Sequence, residues 1–167
     1  MFFYSKLSFV NFILNLIAKI NKKINSKITQ IQIQKIIYII YAYFLIFKKP
    51  IANISFETWR WGPVIYELWK QQTKYKDKNI PLEFDKNIDI EYLKFEKDYL
   101  VCKKIIHFML NLNSWDIVQI CHEQTPWKNL YKPNKNIKIK DEDIIKFHNQ
   151  NQDNFFCYLD FIVNDKK

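Results

Sequence analysis

The chain has one glycine, one arginine and three cysteines in 167 residues, and each scarcity excludes something. Gly62 alone cannot build a phosphate-cradling loop, and the chain contains neither a G-x-G-x-x-G nor a Walker sequence. Tight hairpins usually take glycine or asparagine at positive φ, so a single glycine favours helix over sheet. Arg60 is the only guanidinium among 26 basic residues. Readers of nucleic acid depend on bidentate arginine contacts, which lysine cannot make, so the net charge of +9 does not by itself point to nucleic acid. An abundance of Ile, Lys, Asn, Phe and Tyr is also what A/T-rich coding produces. Cys102, Cys121 and Cys157 are odd in number and lack C-x-x-C spacing, so no disulfide framework is expected and a reducing cytoplasm is. The neighbouring pairs Cys102 and His107, Cys121 and His122, and His148 and Cys157 have no metal-ligand spacing. No metal, cofactor or enzymatic chemistry is therefore expected.

Long apolar runs are also scarce. "LSFVNFILNLIA" lacks an A-x-A cleavage pattern and is interrupted by Asn11 and Asn15, which argues against a signal peptide. "IIYIIYAYFLIF", residues 36 to 47, falls short of the roughly 20 apolar residues of a membrane span. It reads instead as a buried core helix, and no membrane partner is expected.

What the chain does contain is helical periodicity. Its length suits one domain over residues 1 to 167, and an aromatic share of 17% promises a ring-rich core. Apolar residues from Phe9 to Ile20 recur at i, i+3, i+4 and i+7, which predicts an amphipathic helix over 5 to 22. Thr29 with Gln32 has the form of a capping box, so a second helix runs from there to about Phe47 and, being apolar nearly all round, is central. Pro63 after Gly62 predicts a proline-initiated helix carrying Val64, Ile65, Leu68 and Trp69. Residues 76 to 89 read as a surface loop, 90 to 112 as one long helix, 115 to 122 as a short one, and "KIKDEDIIKFHNQ" as a helix with acids in its first turn. "NFFCYLDFIV" fits either a helix or an extended arm. The expected fold is all-α: a compact single-domain bundle of about six helices joined by irregular loops.

The rare residues gather in "SFETWRWGPVIYELW", 55 to 69, which holds three of the five tryptophans beside Arg60 and Gly62. Arg60 can stack on Trp59 or Trp61, or reach a carboxylate. The stretch reads either as a rigid corner holding helices together or as the lining of a partner groove, since Trp and Arg are enriched in binding hot spots. His122 near a helix end is ordinarily structural, and Cys121 beside it points about 100° away on a helix, so the two do not form a nucleophile pair by adjacency.

Two blocks carry a family resemblance. "IQIQKIIYIIYAYFLIFKKPI" followed by "FETWRWGPVIYELW" resembles the signature of the Panacea domain, the SocA-like antitoxin family, with Gln34, Lys35, Tyr38, Phe56, Trp59, Gly62, Pro63 and Val64 at matching places. "SWDIVQICHEQTPW", with Ser114, His122 and Trp127, is similar to a second family block. The resemblance covers most of residues 28 to 147. Thr58, Asp116 and Cys121 depart from the family pattern while keeping size and polarity. What the resemblance implies is a phage-associated, non-enzymatic antitoxin that binds a cognate protein toxin, neutralising it directly or escorting it to a protease or chaperone. Arg60 and Trp61 join the matched residues as candidate contacts. The alternative is a prophage- or mobile-element-encoded regulator or adaptor without a toxin, binding nucleic acid through its lysines. Toxin identity and oligomeric state are not encoded in any motif.

Overall fold

The computed structural model describes residues 2–3, 5–151 and 154–165. Helix α1, Lys6–Ile24, begins where the Ser5 hydroxyl accepts from the Ser8 amide at 3.0 Å and ends at Asn25, whose left-handed φ of 54° lets its amide return to Asn21 O. Helix α2, Gln30–Phe47, opens on the expected capping box: Thr29 Oγ1 accepts from the Gln32 amide, and Gln32 Oε1 accepts from the Thr29 amide. By length and composition α2 could cross a membrane, yet most of it lies inside the protein, in contact with α1 and six later elements. Its tyrosines tie the last two helices to it, Tyr41 OH donating to Asp141 and Tyr43 OH to Asp160, each at 2.6 Å.

The chain then departs from the all-α expectation. Strands β1 (Phe56–Trp59) and β2 (Gly62–Val64) form a hairpin, and β3 (Lys138–Ile139) pairs on the other side of β1, giving an antiparallel sheet of order β2-β1-β3. Pro63 therefore lies in an edge strand and not in the first turn of a helix. The register explains why proline is tolerated there. Pro63 faces Thr58, whose amide points away to Ile137 O at 2.8 Å, so this pair exchanges no ladder bond and the missing N–H costs nothing. Arg60 and Trp61 make the turn at negative φ, and the left-handed residue is Gly62 at φ 101°. The one glycine thus serves a hairpin, the structure its scarcity seemed to exclude.

Helix α3, Tyr66–Gln72, and a 3-10 turn, Thr73–Tyr75, follow. The segment expected as loop and then one long helix is two helices, α4 (Lys86–Leu93) and α5 (Glu96–Leu110), with a break between them. A tertiary contact accounts for the break. Lys19 of α1 donates to Asp89 at 2.6 Å and to Tyr99 OH at 2.9 Å, while the Tyr99 hydroxyl donates to Asp89. In a straight helix Asp89 and Tyr99 would sit about 15 Å apart along the axis, beyond reach of that bond. Asn15 also grips the backbone of Asp85, the α4 cap, through both atoms of its amide.

Helix α6, Ser114–Glu123, is capped by Asn113, and a further short helix, α7, spans Trp127–Leu130. Helix α8, Asp141–Gln150, starts with three acids as expected. The last apolar segment is a helix, α9 (Phe155–Asn164), capped by Asn154. The described residues thus hold nine α-helices and a small three-stranded sheet, more helices than the six expected and not purely α. One buried cluster, running from Phe3 to Val163, underlies them all.

Candidate functional site

Gln34 and Lys35 on the buried face of α2 hold the backbone of the hairpin from below. The Gln34 amide bonds Ile65 in both directions, Oε1 accepting from Ile65 N at 2.9 Å and Nε2 donating to Ile65 O at 3.3 Å. Lys35 Nζ donates to Pro63 O at 2.8 Å. One turn on, the Tyr38 ring meets Phe56 of β1 edge to face at 5.0 Å, and its buried hydroxyl lies beside the Thr125 side chain. Phe56 and Val64 are both buried, but the register sets Val64 opposite Glu57, on the Trp59 face of the hairpin, and Phe56 on the other face.

Gly62 is required by contact as well as by φ. A Cβ there would lie 2.8 Å from Lys35 Cε and 3.3 Å from Cys121 Cβ. Lys35 is 1% exposed, and burial brings its ammonium down from 10.5 to about 8. Cys121 is fully buried, which pushes its thiol up to about 12, with the Lys35 charge pulling slightly the other way. A thiol held there is not a nucleophile at neutral pH.

Above this floor the aromatic residues make two sets of ring contacts around the turn. Trp59 packs on Trp69 at 4.8 Å and on Tyr66 at 6.2 Å, and its Nε1 donates to Glu57 at 2.8 Å. In the second set the Arg60 guanidinium lies 4.7 Å over the Trp61 ring, and Trp61 meets Trp115 of α6 at 5.7 Å. Trp61 is 40% and Trp115 57% exposed. Of the two stacking partners read for Arg60 in the sequence, the structure places Trp61 beneath it. Trp115 went unnoticed there, although a tryptophan in the exposed first turn of a capped helix is itself an unusual placement.

His122 and Trp127 buttress the same corner from behind. Their rings stack at 3.8 Å, nearly parallel at 7°, and Trp127 stacks in turn on Tyr131 at 4.5 Å. Trp127 Nε1 donates to Trp59 O at 2.8 Å, so the stack is bonded to the closing residue of the hairpin. Burial, followed by the charge of Lys35, holds the His122 imidazole below its usual range, while its hydrogen bond to the Arg60 backbone pulls the other way. The residues named from the sequence thus converge on one corner: Gln34, Lys35 and Tyr38 beneath it, Phe56 to Val64 forming it, and His122 with Trp127 behind it. Among the described residues no three His, Cys, Asp or Glu side chains converge as metal ligands.

The geometry defines a mostly helical protein that carries an aromatic, arginine-tipped hairpin on a buried lysine. The model of the antitoxin SocA-like, Panacea domain matches residues 33–128, from α2 into α7, and the chain belongs to that family. The match contains the corner residues from Gln34 to Trp127, and Tyr131 at the end of the stack lies beyond it. Comparison with curated proteins and with solved structures gives no significant match.

Proposed function

We propose that this protein is an antitoxin that neutralises a cognate protein toxin by stoichiometric binding in the cytoplasm, and that the toxin docks on the corner formed by Arg60, Trp61 and Trp115. The observation that carries this reading is the exposure of Trp61 and Trp115, two large rings held against one another under the only arginine of the chain. Exposed large aromatics cost solvation in an isolated protein, and Trp and Arg on a rigid mount are the types that carry interface energy. Rigidity comes from below and behind, through Lys35, Gln34 and Trp127, so little entropy is lost when a partner closes on the corner. The binding chemistry is non-enzymatic. The charge of +9 favours an acidic face on the toxin, or on a protease or chaperone to which the toxin is handed.

The test is co-expression with each short reading frame found adjacent to its gene. Relief of growth arrest and recovery of a near-stoichiometric complex support the antitoxin reading. Recovery of nucleic acid, or of the protein alone, favours a regulator or adaptor without a toxin.

A further inference from the structure

On the Trp59 side of the hairpin, away from Trp115, a cavity of about 510 Å³ opens between α2, the turn, α3 and the 3-10 turn. Its size lies within the range of small-molecule sites, roughly 300 to 1,000 Å³. Trp59, Trp61 and Trp69 supply broad apolar walls. The charges are one-sided: Lys35, Arg60 and Lys76 contribute three cations and Asp77 one carboxylate.

Lys35 is the telling group. It lines the cavity, it is 1% exposed, and its ammonium has a single hydrogen bond, to Pro63 O. No carboxylate lies within ion-pair distance of it among the described residues. An ammonium carries three donors, and a buried charge is ordinarily paired. Gln34 cannot help, because both ends of its amide are taken by Ile65. The cavity therefore presents donors that an entering anion would satisfy, beside rings on which a planar group can stack and a guanidinium whose fork matches a phosphate.

We infer that this cavity binds a free nucleoside phosphate, the base against the tryptophans and the phosphate toward Lys35 and Arg60. The ligand goes beyond the antitoxin reading and does not depend on it. The site shares Trp61 and Arg60 with the proposed toxin face, so an occupied cavity would alter the surface on which a toxin docks. Depression of the Lys35 ammonium by burial is consistent with an unfilled partner position, since an anion beside it would restore the charged form.

The experiment is calorimetric titration of the full chain, without any toxin, using AMP, GMP, adenosine, inorganic phosphate and a short single-stranded oligonucleotide. Saturable binding of a nucleoside monophosphate, roughly tenfold or more tighter than adenosine or phosphate alone, is expected. Affinity should fall as pH rises past about 8, where Lys35 loses its proton. Lys35→Met should remove the preference for nucleotide over nucleoside, and the exposed Arg60→Ala should weaken it even if the buried variant fails to fold. Absence of saturable nucleotide binding, equal binding of adenosine, or a preference undiminished by Arg60→Ala overturns the assignment. Tighter binding of the oligonucleotide than of the mononucleotide also overturns it, in favour of a nucleic-acid surface. The toxin reading is decided separately, by co-expression.

Discussion

Lys35 Cε lies where it would be 2.8 Å from a methyl group on Gly62, so the buried lysine chain fills the space that a side chain on the only glycine would need. The lysine also bonds the next residue along, Pro63, through its carbonyl. The turn is therefore positioned from α2 as well as by its own ladder, and the corner tolerates little change at either residue.

Gly62→Ala should destabilise the protein by about 2 kcal/mol or more. A left-handed φ costs a non-glycine residue roughly 1–2 kcal/mol, and the added carbon must also displace the lysine chain. Thermal unfolding followed by circular dichroism should show a fall of about 4–8 °C in Tm for a chain of this size. An unchanged Tm would mean that the hairpin relaxes away from Lys35.

Stability should rise on moving from neutral to mildly alkaline pH. The folded Lys35 releases its proton near 8 and the unfolded one near 10.5, so between those values the unfolded state binds more protons and stability increases with pH. The full effect is on the order of 3 kcal/mol. Above about 9 the trend reverses, because burial holds the thiols of Cys102 and Cys121, and further up the hydroxyls of Tyr38, Tyr41 and Tyr43, well above their usual range and the unfolded chain ionises first. Urea unfolding between pH 7 and 11 should thus give a maximum, and Lys35→Met should remove its rising side.

Local physics made the first half of the helical scaffold legible. Ser5, Thr29 and Gln32 cap α1 and α2 through bonds between near neighbours, and the apolar periods there are unbroken. The hairpin was not legible because its turn residues, Arg60 and Trp61, are not turn formers and Pro63 after glycine imitates a helix start. Its tolerance of proline depends on the Thr58 amide bonding Ile137, a partner far along the chain. The break between α4 and α5 was hidden for the same reason, since Lys19, Asp89 and Tyr99 come from separate helices. At the site, the matched residues were found by motif, but the work of Gln34 and Lys35 as backbone clamps follows from tertiary geometry.

Asp89→Ala tests that account of the break. Asp89 is buried and accepts from both Lys19 and Tyr99, so its removal strands two polar groups and should cost about 2–4 kcal/mol. Hydrogen exchange should quicken in α4 more than in α6. Uniform loss of protection would indicate instead that the triad supports the whole core.

Arg60→Ala and Trp115→Ala should leave the far-ultraviolet spectrum unchanged, because both side chains are exposed. Each should weaken toxin binding by about 2 kcal/mol, roughly thirtyfold, in a calorimetric titration with the co-purified partner. Normal affinity in both variants would move the docking face away from this corner.

His122 and Trp127 separate support from chemistry. His122→Phe keeps a ring against Trp127 but removes the imidazole's hydrogen bond to the Arg60 backbone, so stability at neutral pH should fall by about 1 kcal/mol or less. On acidification the wild type should lose stability as pH falls through 6.5, since burial holds His122 and His148 below that value and the unfolded chain takes up protons first. The variant should lose less. Trp127→Phe, by contrast, breaks the bond to Trp59 O at the close of the hairpin and should weaken both folding, by about 1 kcal/mol, and toxin binding. If His122→Phe instead abolished neutralisation while folding normally, the imidazole would have to act on the partner directly, and its place behind the corner would not explain its role.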